Sequence, residues 1–113
     1  MTSDKKARLE EQGWKFGDAA EFLGLSNEEQ LLIDVRIALS QLVKASRERH
    51  KITQHELAKR IGSSQSRIAK LEASDPTVST DLILKAAFKA GASRVEVGEA
   101  IIADRKEREL AIA

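Results

Sequence analysis

Gln65, Ser66, Arg67 and Lys70 stand close together behind a Gly62-Ser63-Ser64 turn, and their side chains combine a primary amide, a hydroxyl, a guanidinium and an ammonium. An amide offers a donor and an acceptor side by side, and a guanidinium offers a planar fork of donors. Such groups tell base pairs apart: Gln matches the N6 and N7 edge of adenine, Arg or Lys matches O6 and N7 of guanine, and each good pair discriminates by about 1–3 kcal/mol. Thr53, Gln54, Ser63 and Ser64 fall at the starts of two helical patterns. Free backbone N–H groups and the positive end of the helix dipole favour phosphate there. The chemistry on offer is recognition of a DNA duplex through its major groove.

Side chains can do this only if helices hold them. Ser, Thr or Asp followed three residues later by Glu, the signature of a capping box, occurs at Asp18/Glu21, Ser26/Glu29, Thr53/Glu56 and Ser93/Glu96. With one proline in the whole chain, these starts predict an all-helical domain. The first opens a short helix over residues 18–23, stopped by Gly24. The second opens a long helix from Asn27 to Arg49, with Leu32, Val35, Leu39, Leu42 and Ser46 as its buried stripe. Thr53 caps the next helix, whose inner face is Leu57, Ala58 and Ile61, and Gly62 ends it. Ser64 caps a helix that turns Ile68 and Leu71 inward and breaks at Asp75-Pro76. Ser79 or Thr80 starts another helix, running through Leu82, Leu84, Ala87 and Phe88 to Gly91. Ser93 begins the last, expected to reach about Leu110, although the alternation Val95-Glu96-Val97 also suits a short strand.

A helix that lies in a groove must be braced by a second helix across a tight corner. Here Ala58 is small where the two helices cross, Gly62 permits a turn conformation costly for residues with a Cβ, and Ile68 plugs the angle between them. The stretch ITQHELAKRIGSSQSRIAKLE, residues 52–72, resembles the Xre/Cro, lambda-repressor-like helix-turn-helix family, and the likeness extends over about residues 36–92. It implies an all-α bundle of about five helices, with an N-terminal extension over residues 1–25, a DNA-binding domain over 26–92 and a C-terminal helix over 93–113. It also implies that Gln54 touches a phosphate and supports Gln65, that Gln65 reads adenine, and that Ser66, Arg67 and Lys70 face the bases or the groove edge. The bland alternative is that Gln65 and Ser66 solvate a helix start, that Arg67 pairs with Glu72 or another acid, and that Lys59 and Arg60 are ordinary surface residues. Two positions depart from the family pattern. Glu72-Ala73-Ser74-Asp75-Pro76 replaces a Gly-rich stretch and places an acid where phosphate would be repelled, and His50 replaces a loop glycine, predicting a less sharp end to the long helix.

The formal net charge of the 113 residues is only +1, but it is unevenly spread. Residues 1–35 carry four bases and eight acids, residues 36–72 nine bases and three acids, and residues 73–113 six bases and seven acids. The basic middle coincides with the helical pair, as an electrostatic footprint for phosphate should. A chain with 42% hydrophobic residues can bury a core. No apolar run is long enough to span a bilayer and residues 1–8 have no following signal core, so a soluble, cytoplasmic protein without membrane association is expected. The absence of cysteine excludes disulfides and thiolate metal sites. His50 and His55 lack metal-ligand spacing, Gly13 and Gly17 form no phosphate loop, and nothing resembles a nucleophile turn, so neither an enzyme nor a cofactor is expected.

These features predict a transcriptional regulator, a repressor that binds an inverted repeat as a homodimer, with Val97, Ala100, Ile101 and Leu110 as candidate dimer contacts. Outside the motif, residues 9–25 hold Trp14, Phe16, Phe22 and Leu25 among acids. They either dock on the long helix or wrap a small basic partner. The EFLGL segment before an acid-rich helix start resembles HigA-like antitoxins, which implies a RelE-like or HigB-like toxin as partner and autoregulation of the operon. A coactivator-like protein adaptor is a further alternative.

Overall fold

The computed structural model describes Gly24 and residues 26–103. The expected helix at residues 18–23, the aromatic residues Trp14, Phe16 and Phe22 with Leu25, and the chain from Asp104 to Leu110 lie outside the described residues. Five helices are described: α1 (Asn27–Arg49), α2 (Gln54–Ile61), α3 (Gln65–Glu72), α4 (Thr80–Lys89) and α5 (Arg94–Ile102). No strand occurs among the described residues, so Val95-Glu96-Val97 is helical, and the fold is an all-α helix-turn-helix bundle. None of these helices is long and apolar enough to cross a membrane.

The chain divides into two compact units, residues 1–33 and 34–113. Of the first, Gly24 and the opening turns of α1 are described; Ser26 caps them, its Oγ accepting from the Glu29 N–H at 3.1 Å. Leu32, expected on the buried stripe, is 57% exposed there. Helical periodicity gives a direction around the axis but not how far along it a core extends.

The second unit gathers one core from all five helices. Leu39 and Val43 of α1, Leu57 of α2, Ile68 and Leu71 of α3 and Ile83 of α4 are all buried in it. Ala58, 2% exposed, gives α2 and α3 the close crossing that its size predicted, and Ile68 fills the angle. Val97 of α5 is also buried in this core, which removes it from the candidate dimer contacts.

Capping explains where the helices begin. Thr53, Ser64, Ser79 and Ser93 each accept a backbone N–H three residues on, at 3.0, 3.3, 3.2 and 3.1 Å. Among the described residues only Ser93 and Glu96 form the full reciprocal box, and Glu56 turns its carboxylate to Arg60 instead. The helix ends share a second device. At each of Lys51, Gly62, Ser74 and Gly91 the backbone takes positive φ, and the following N–H reaches back five residues, as in Ile52 to Arg47 and Asp75 to Lys70. The end of α1 is therefore sharp, contrary to the expectation from His50. Lys51 supplies the left-handed residue. Helix α3 likewise stops at Glu72, before Asp75-Pro76, because Ser74 turns the chain first.

Candidate nucleic-acid interface

Helix α3 is two turns long, too short to persist by itself, so its position depends on its anchors. Ile68 and Leu71 anchor one face in the core. The C-terminal end is held by charge. Arg47 donates from Nε to Glu72 Oε2 at 2.6 Å and from Nη2 to Oε1 at 3.0 Å, and its Nη1 donates to the Ile52 carbonyl at 2.9 Å. Gln54 Nε2 donates to the same Glu72 Oε1 at 3.1 Å. One carboxylate thus ties the end of α1, the start of α2 and the end of α3. The pair is largely desolvated, with side chains 13% and 5% exposed. The hydrogen bond to Glu72 is the main cause that raises the Arg47 pKa above its ordinary value, against the opposing effect of burial.

This network corrects two expectations. Gln54 gives its amide to Glu72, where the resemblance gave it Gln65 as partner. Glu72 is engaged by Arg47 and Gln54, and the Arg67 guanidinium has no ion-pair partner among the described residues. In the sequence Arg47 counts only as a charge and Glu72 is a candidate partner of Arg67, yet a signal for their pairing with each other was present. Each lies four residues after a core position, Val43 and Ile68, so each falls on a buried helix face. A charge on such a face requires a partner.

With α3 anchored from behind, Gln65, Ser66, Arg67 and Lys70 are all exposed. Ser66 Oγ lies 3.3 Å from Ser64 Oγ at the helix start. Thr53 and Ser64 are exposed caps at the starts of α2 and α3, and Gln54 is half-buried beside them. Ser63 is placed differently. Its N–H closes the end of α2 on the Ala58 carbonyl at 2.8 Å, and its Oγ is buried without a hydrogen-bond partner.

The basic segment also divides into two groups. Arg36 donates to Thr80 Oγ1 at 3.0 Å and to the Asp75 and Val78 carbonyls, pinning the loop between α3 and α4. Arg49 pairs with Glu96 at 2.7 Å, and Arg60 pairs with Glu56 at 3.2 Å. These arginines, with Arg47, serve the fold. Lys44, Lys51, Lys59, Arg67 and Lys70 remain exposed and outside any ion pair among the described residues. Among the described residues no cluster of His, Asp or Glu is arranged to hold a metal ion.

The comparisons with known proteins add one match. Neither a curated protein nor a solved structure matches the chain. Residues 43–87, from within α1 to within α4, match the model of a helix-turn-helix family, and that stretch contains all of the candidate contact residues from Thr53 to Lys70.

Proposed function

We propose that this protein is a sequence-specific DNA-binding transcriptional regulator, a repressor that binds an inverted repeat as a homodimer. The observation that carries this reading is the division of labour on α3: Ile68, Leu71 and Glu72 hold the helix, while Gln65, Ser66, Arg67 and Lys70 are exposed. Gln65 and Arg67 read base edges, Ser66 and Lys70 contact the groove edge, and Thr53, Gln54 and Ser64 meet phosphate at the starts of α2 and α3. Ser63 contributes through its place in the turn. Residues 26–92 form the DNA-binding domain in this reading, residues 1–25 an extension, and residues 93–113 the self-associating end.

A single unit of this size covers too few base pairs for high selectivity, and two-fold pairing doubles the readout. Exposed Val95, Ile101 and Ile102 on α5 support pairing there. Selection of bound duplexes from a random pool is expected to return a palindrome, whose half-site spacing reports the symmetry. Gln65→Ala with Arg67→Ala is expected to abolish the preference for that palindrome over mixed sequence; unchanged preference would overturn the site assignment. A salt slope near zero in the same titration would favour a protein adaptor instead.

A further inference from the structure

Asp75 is held at many points for a loop residue. Its N–H donates to the Lys70 carbonyl at 3.0 Å, and its carbonyl accepts from the Val78 N–H at 3.2 Å and from Arg36 Nη2 at 3.4 Å. Its carboxylate Oδ1 accepts from the Thr77 N–H at 2.8 Å and from Thr77 Oγ1 at 2.6 Å. No cation lies within ion-pair distance of it among the described residues. The bonds from Thr77 are the main cause that keeps its pKa below the ordinary value, with the charge of Lys70 adding to them. A negative charge is thus fixed just past the C-terminal end of α3, where the bonds from Thr77 and the charge of Lys70 favour the ionised form against the negative end of the helix dipole.

On the reading of α3 as the helix that enters DNA, we infer that Asp75 limits the affinity of this surface for polyanions. Its fixed charge repels a phosphate passing the end of α3 and offsets part of the charge of Lys70, one turn back on the exposed side. The interface is therefore polarised: attractive at the starts of α2 and α3, repulsive at the end of α3. Its affinity depends on bases lying correctly against Gln65 and Arg67 more than a uniformly basic face would require.

Asp75→Asn keeps a side-chain oxygen for Thr77 and removes the charge. Titrated with a mixed-sequence duplex at low ionic strength, this variant is expected to bind about three- to tenfold more tightly than the parent. The gain should shrink as salt is added, and the slope of log affinity against log salt should steepen by about one. Thr77→Val removes a hydroxyl and keeps the charge, and is expected to bind within about twofold of the parent. A folded Asp75→Asn protein with unchanged affinity and slope would overturn the inference, as would an equal gain in Thr77→Val. Should the Asn variant not fold, Asp75→Ser makes the same test. Parent protein that binds no duplex at all would overturn the DNA-binding reading itself, whereas binding that depends on Gln65 and Arg67 but ignores Asp75 overturns this inference alone.

Discussion

Arg47 and Arg67 show how the same side chain takes opposite roles twenty residues apart. Arg47 follows Val43 by one turn and is drawn into the bundle with Glu72, whereas Arg67 lies on the outer side of α3 and is exposed. Glu72→Gln would leave the Arg47 guanidinium with only the exposed Glu48 carboxylate, 3.8 Å away, as counter-charge, and a cost of about 2 kcal/mol is expected in urea unfolding. Arg67→Ala is expected to change stability by no more than about 0.5 kcal/mol. Equal losses for the two variants would contradict the division between holding and reading residues. Residue types and spacing were enough to place Gln65, Ser66, Arg67 and Lys70 on the exposed face of α3, because that exposure follows from the inward direction of Ile68 and Leu71. The partner of Glu72 was not legible. Pairing across twenty-five residues depends on how α1 crosses α3, which no local pattern encodes.

At the scale of the elements, helix starts were easier to read than helix ends. Thr53, Ser64, Ser79 and Ser93 cap as their types suggest, and Gly62 and Gly91 stop α2 and α4 in the left-handed conformation. Lys51 and Ser74 do the same work with a Cβ, at φ 57° and 61°, which no residue preference would have indicated. Each is expected to cost about 1 kcal/mol relative to glycine, so Lys51→Gly and Ser74→Gly should each raise the unfolding free energy by about that amount. The converse substitutions at the glycines should differ from each other. A Cβ at Gly62 meets nothing within 4 Å, so Gly62→Ala loses only the conformational term. A Cβ at Gly91 would lie 2.7 Å from His50 Cε1, whose ring Nδ1 is bonded to the Ser46 carbonyl at 2.8 Å. Gly91→Ala is therefore expected to lower the melting temperature more than Gly62→Ala.

For the whole molecule, charge decides how stability responds to solution conditions. Arg49 and, after it, the Ser93 N–H hold the Glu96 carboxyl below its ordinary pKa, and Thr77 does the same for Asp75. A carboxylate depressed in the folded state adds stability that is fully present above its unfolded pKa and is lost as pH falls through the folded one. With unfolded values of about 3.9 for Asp and 4.3 for Glu, this contribution should be constant from neutral pH to about 5 and should decline at more acid pH. Glu96→Gln is expected to make that decline shallower, as measured by urea midpoints at neutral and acid pH. An unchanged acid slope would show that the Arg49–Glu96 pair carries none of it. Among the described residues of the basic segment, 36–72, the five exposed cations outside ion pairs are mostly lysines, and they give that segment its positive surface without taking part in the core. The separation of anchors from readers on α3 bears on how such a chain can evolve. Under the proposed reading, substitutions at residues 65, 66, 67 and 70 leave the Arg47–Glu72 clasp and the Ile68 and Leu71 packing in place, so the sequence preference of the chain can change by single steps that spare its anchors.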